Sequence, residues 1–189
     1  MSIAVAVHKD GRIALGTDSQ TSFGSSRMPV DNLRTRKTHT IGRSLMATTG
    51  WGLYENILDD FLARFPNTEL GGKTEIFHFF MGLWRELRDT YTLVKEQCDK
   101  DDDSPFANLD ASFLVVNELG IYHVGADMSV TRFERYYAIG SGGDYSLGAI
   151  EAVYADVPSA EKICRRAVEV AITFDVHCGG PVQLESVDC

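Results

Sequence analysis

Metal-binding and disulfide patterns are missing from this chain of 189 residues. Its four cysteines, Cys98, Cys164, Cys178 and Cys189, lie far apart and form no C-x-x-C pair. A structural zinc site or a disulfide framework is therefore not expected, and the thiols read as reduced. The five histidines show no H-E-x-x-H spacing, so neither a catalytic metal nor a cofactor is implied. Basic residues are in deficit, 18 Lys and Arg against 27 Asp and Glu, for a net charge of −9. Such a surface repels polyanions, which argues against nucleic acid or an anionic membrane as the main partner. No apolar run is long enough to span a bilayer. No basic segment precedes an apolar core that could act as a signal, because His8, Lys9 and Asp10 interrupt the first apolar run. The expectation is a cytoplasmic protein.

An internal repeat, a linker and strict strand–helix alternation are also absent. A doubly wound parallel sheet needs that alternation, and one domain over 1–189 is the simpler expectation. Residues 3–7 and 12–18 read as a β-hairpin across Lys9-Asp10-Gly11-Arg12. A polar stretch runs from Ser19 to about Asn32. Residues 34–41 and 44–49 read as a second hairpin around Gly42-Arg43. Its alternation puts Lys37, His39 and Ile41 on one face. Helical spacing follows, first along Leu53, Ile57, Phe61 and Phe65, then over roughly 74–98 with Thr74 as the cap. Asp99 to Asp103 reads as a solvated loop. Strands are expected at 111–117, 120–125 and 129–138, helices at 144–155 and 159–174, and a last strand from Pro181 to Val187. Runs of strands separated by pairs of helices predict an α+β chain. Its two sheets pack face to face with helices outside, a four-layer αββα sandwich.

The chemistry begins at Ser2. Removal of Met1 would leave its hydroxyl beside a free α-amine, and an α-amine with a pKa near ~7.7–8.0 is partly unprotonated at neutral pH. A nucleophile and its base then share one residue. A nearby buried cation would lower the pKa of that hydroxyl, and Lys37 is the candidate, with Asp18 at the end of the second strand. Lys37 also fits a solvent-facing basic cluster with Arg34 and Arg36. Gly140-Ser141-Gly142-Gly143 stands at a strand-to-helix junction, where free amides favour negative charge. It meets neither phosphate-loop spacing. His177-Cys178 are adjacent on a turn, a poor arrangement for a thiol nucleophile and its base.

In order along the chain stand a hydroxyl residue at position two, a D-G-R turn, ALGTDSQ (14–20), RKTHTI (36–41), MATTGWG (46–52), AIGSGGDYSLGA (138–149) and DVHCGG (175–180). Together these resemble the proteasome β-subunit and HslV branch of the N-terminal nucleophile hydrolases over essentially the full length. The resemblance extends to a compact betaproteobacterial proteasome homologue.

The resemblance implies a peptidase acting from inside a homo-oligomeric double ring of twelve or fourteen subunits. Its substrates would be peptides or unfolded proteins, with a AAA+ unfoldase as a candidate partner. Ser2 matches the family's nucleophilic threonine, Asp18 its aspartate and Lys37 its lysine. Ser141 matches the serine that hydrogen-bonds the α-amine, and Asp175 the aspartate that supports that serine and the lysine. Thr49 would supply the oxyanion-hole amide, with Gly50 as the alternative register; an amide needs no particular side chain. Three features depart from the pattern. Serine replaces threonine, Cys178 stands where Ser or Thr is usual, and the segment between Asp18 and Lys37 is longer. Two other readings stand beside the peptidase: a catalytically silent ring scaffold and an amidase acting on a small substrate. Some of the residues in the apolar run Phe77, Phe79, Phe80, Met81 and Trp84 are expected to form subunit contacts.

Overall fold

The computed structural model describes residues 2–24, 26–28, 32, 36–91 and 108–189. The first hairpin forms as the sequence predicts. β1 (Ile3–Lys9) and β2 (Arg12–Thr17) pair antiparallel, and Asp10 and Gly11 between them both take positive φ, 50° and 74°. That is the two-residue turn whose twist matches the flanking strands. A short hairpin of β3 (Ser22–Phe23) and β4 (Ser26–Arg27) follows, inside the stretch that reads as a polar loop. β5 (Thr38–Ile41) and β6 (Ser44–Thr49) then pair around Gly42-Arg43, and the helices α1 (Leu53–Arg64) and α2 (Lys73–Asp89) come next. β7 (Ser112–Asn117), β8 (Gly120–Val124), β9 (Val130–Phe133) and β10 (Tyr136–Gly140) lead to α3 (Gly143–Val153) and α4 (Ala160–Phe174). The last strand is β11 (Gln183–Asp188).

The strands form a sheet in the order β10-β1-β2-β11 and another in the order β5-β6-β7-β8-β9, both antiparallel. Strand alternation sorts the apolar side chains into three layers. On β1, Ile3, Val5 and Val7 pack under α3 and α4, while Ala4 and Ala6 face the second sheet. Leu45, Ala47, Leu114 and Val116 meet them from that sheet, and its other face packs Met46, Phe113 and Val115 under α1 and α2. The αββα sandwich is present as expected.

Three local expectations need correction. Residues 129–138 are not one strand: the chain breaks at Glu134-Arg135, so β9 edges one sheet and β10 the other. Phe133 and Tyr137 stack across the break, ring centroids 3.9 Å apart and planes 16° apart, and both rings stay partly buried where the chain changes sheets. Thr74 does not cap α2; Gly72 takes that place without a side-chain bond, whereas α4 has a serine cap, Ser159 accepting from the Lys162 amide at 3.2 Å. The buried face of α1 is Tyr54, Ile57, Leu58 and Phe61; Leu53 and Phe65, at its two ends, are exposed. Phe79 and Phe80 belong to the core, Trp84 packs against it, and only Phe77 of the rings in that run is largely exposed. That run therefore serves the chain's own core first. The expected helix beyond residue 91 and the acidic run Asp99 to Asp103 lie outside the described residues. Among the described residues no helix is long and apolar enough to cross a membrane.

Candidate active site

Asp18 follows β2 directly and is fully buried. A buried carboxylate is costly unless hydrogen-bonded and paired, and this one is both. Its Oδ1 accepts from the Ile3 amide at 3.2 Å and from Lys37 Nζ at 2.6 Å. Its Oδ2 accepts from the amides of Gln20 at 3.2 Å and Gly179 at 3.1 Å. One carboxylate thus gathers the start of β1, the exit of β2, the segment before β5 and the loop before β11.

Lys37 is 5% exposed, so the solvent-facing basic cluster is excluded for it. It sits one residue ahead of β5 rather than in mid-strand, because the ladder with β6 begins at Thr38. Its amide donates to Gln183 Oε1 at 3.3 Å and its carbonyl accepts from the Thr48 amide at 3.3 Å. The ammonium spans the gap between Asp18 and Ser2, reaching Ser2 Oγ at 2.7 Å. Ser2 itself is 7% exposed.

Gly140 and Ser141 close over the other side of Ser2. Gly140 adopts φ 98°, a region open to glycine, and a Cβ there would run into the Ser2 carbonyl oxygen. The Ser141 hydroxyl, with one proton to give, stands 3.4 Å from that carbonyl oxygen and within hydrogen-bond reach of the Asp175 carboxyl. Burial pushes the Asp175 carboxyl up, but bonds from Ser141, the His177 amide at 2.9 Å and the Cys178 thiol at 3.3 Å outweigh it. The result lies below the ordinary carboxylate value. Lys37 has its ion pair with Asp18, whereas the bonds to Asp175 come from Ser141, His177 and Cys178. Burial first, then Asp18 and Asp175, push the Cys178 thiol up to about 12. A thiol held protonated is a hydrogen-bond donor, and Cys178 donates to Asp175 Oδ2 at 3.3 Å.

Thr49 ends β6 opposite Ser112. Gly50 follows at φ 144°, where a Cβ would stand 3.0 Å from Ala111 Cβ, and it turns the chain toward α1. Thr49, Gly50, Asp110, Gly140 and Ser141 line an open cleft of about 300 Å³ beside Ser2. The sequence-predicted residues thus lie around one centre. Two further participants, Gln20 and Gln183, escaped sequence reasoning. The Gln20 amide bonds a carboxylate two residues back, an Asx-turn spacing that could have been noticed; Gln183 carries no local signal.

His39, next inward on β5 from Lys37, is nine-tenths buried, with Nδ1 3.5 Å from Asp59 and Nε2 unpartnered. Burial lowers its pKa from the ordinary 6.5, and Asp59 pulls it only partly back. His123 is lowered in the same way. The unfolded chain therefore binds more protons than the native one as pH falls below 6.5, so stability is full above that pH and is lost below it. The urea midpoint should drop between about pH 7.5 and about pH 5, and His39→Gln should flatten the drop. An identical pH slope in the variant would show that His39 does not contribute.

The structure of BPH, the bacterial proteasome homologue, from Thiobacillus denitrificans superposes on this one with a TM-score of 0.89 at 31% sequence identity. The match covers 98% of this chain and 97% of that one. The chain belongs to the proteasome- and HslV-like N-terminal nucleophile hydrolases. The same relative in complex with epoxomicin matches equally, over 98% of both chains. Eukaryotic HslV from Trypanosoma brucei, 20% identical over 99% of both chains at a TM-score of 0.69, shares the fold. No family model matches the chain.

Proposed function

We propose that this protein is a peptidase whose nucleophile is Ser2, exposed at the N-terminus by removal of Met1, and that it works inside a homo-oligomeric double ring. The observation that carries the reading is the bridge made by Lys37 Nζ, 2.7 Å from Ser2 Oγ and 2.6 Å from Asp18 Oδ1, in a proteasome-type fold. A silent scaffold would have no use for a buried ammonium held against a hydroxyl.

With Met1 attached the Ser2 nitrogen is an amide and no base; once freed it is an amine. Ser2 Oγ attacks the substrate carbonyl, and its proton passes to the α-amine, directly or through one water. Lys37 stabilises the charge on Oγ, and Asp18 fixes the ammonium. The Thr48 amide points to Lys37, and successive amides of a strand flanked on both sides face opposite neighbours. Thr49 then faces β7, which favours Gly50 over Thr49 as the oxyanion donor. The tetrahedral intermediate collapses, the amine proton goes to the leaving nitrogen, and an ester on Ser2 remains. Water then attacks that ester, gives its proton to the α-amine, and regenerates the hydroxyl. Ser141, tied to Asp175, holds the Ser2 main chain through these steps.

The proposed substrates are peptides or unfolded protein in the cytoplasm, with a AAA+ unfoldase as a candidate partner. Native mass spectrometry tests the whole reading. The expected particle holds about twelve or fourteen chains, each one methionine lighter than the sequence, and a peptide epoxyketone adds one adduct per chain at Ser2. A monomer, a retained Met1, or the absence of an adduct would overturn the reading.

A further inference from the structure

We infer that Gln183, on the edge strand β11, is a positioning residue that sets where the Lys37 ammonium sits. This rests on the peptidase reading above. Lys37 lies outside the β5 ladder, and its amide is taken by the Gln183 side chain at 3.3 Å instead of by a strand neighbour. The same strand takes hold on either side. Glu185 accepts from Thr38 Oγ1 at 2.6 Å and pairs with Arg36 at 3.1 Å. β11 belongs to one sheet and the segment 36–38 leads into the other, so these bonds join the two sheets at the mouth of the site.

The consequence is geometric. Four flexible side-chain bonds separate the Lys37 backbone from Nζ, and Nζ must satisfy Asp18 and Ser2 at once. A main chain free to drift would trade one partner for the other. The Thr48 amide fixes the Lys37 carbonyl from β6, and Gln183 fixes the amide from the opposite sheet. Ser2 and Asp18 both adjoin the first sheet, through β1 and β2, and β11 pairs with β2 with Gln183 opposite Thr17. Gln183 therefore ties the lysine backbone to the sheet that carries both of its targets.

The test compares Gln183→Met, which keeps length and removes the acceptor, with Gln183→Glu, which keeps an acceptor oxygen at the same reach. Displacement of about 1 Å costs on the order of a hundredfold in rate. In Gln183→Met, kcat should fall about tenfold to a hundredfold with KM within about twofold, and Gln183→Glu should recover most of the loss. Unchanged kcat in Gln183→Met, or a loss that Gln183→Glu does not relieve, overturns the inference. Should Gln183→Met fail to assemble, Gln183→Asn, with its acceptor drawn back, takes its place under the same criteria. Crystal structures give a readout independent of turnover. The Lys37 Nζ to Ser2 Oγ distance should lengthen beyond hydrogen-bond reach in Gln183→Met and return in Gln183→Glu; a distance unchanged from 2.7 Å in Gln183→Met overturns the inference. If the wild type cleaves nothing while Gln183→Met still shows this lengthening, the peptidase reading is defeated and the positioning role stands.

Discussion

Replacing Lys37 with Met should reduce peptide cleavage by at least about a thousandfold, and Ser2→Ala should do the same. The two losses will not add. The hydroxyl and the ammonium 2.7 Å from it act as one unit, so the double variant should be about as inactive as either single one. Steady-state rates on a fluorogenic peptide measure this, with particle size as the check on folding. Variants that assemble and keep near-normal rates would remove the proposed mechanism. Lys37→Arg should not rescue: the planar guanidinium carries charge but cannot place one compact donor between Ser2 and Asp18.

The second large effect is on stability. Asp18→Ala removes the partner of a 5%-exposed ammonium and leaves the amides of Ile3, Gln20 and Gly179 without their acceptor. Breaking a buried pair by removing one partner costs about 3–5 kcal/mol. For a chain of this size that lowers Tm by roughly 6–20 °C. Calorimetry of the assembled protein should show the drop, together with loss of activity. Asp18→Asn keeps the shape and one acceptor oxygen, so it should fall between Asp18→Ala and the native protein. A Tm unchanged in Asp18→Ala would mean that the four segments are held by something other than this carboxylate.

The elements and the centre of the site differ in how legible they are in the sequence. Alternation and turn chemistry give the Asp10-Gly11 hairpin, and helical spacing gives the start of α4 to within one residue, because both signals are local. The chain's passage from β9 to β10 is not legible, since an apolar run looks the same whether it pairs in one sheet or two. For the site, Asp18, Lys37 and Ser141 are found through order and motif, and the structure brings them to Ser2. The part of Asp175 is only half legible: its sequence position identifies it, but its contacts run to Ser141 and Cys178 and not to the lysine. Gln183 could not be read at all, because its bond to Lys37 spans 146 positions and answers no local pattern.

Asp18 also sets when the proposed site can form. Its hydrogen-bond partners come from residues 3, 20, 37 and 179, so the loop of Gly179 and the start of β1 must both be in place before the carboxylate is satisfied. Contacts of such long sequence separation are the slow ones to form. A chain still short of Gly179 therefore carries Ser2 without the full setting that holds Asp18 and Lys37. On the proposed mechanism Ser2 gains its partners only after the loop of Gly179 docks beside β1, so folding would time the onset of cleavage.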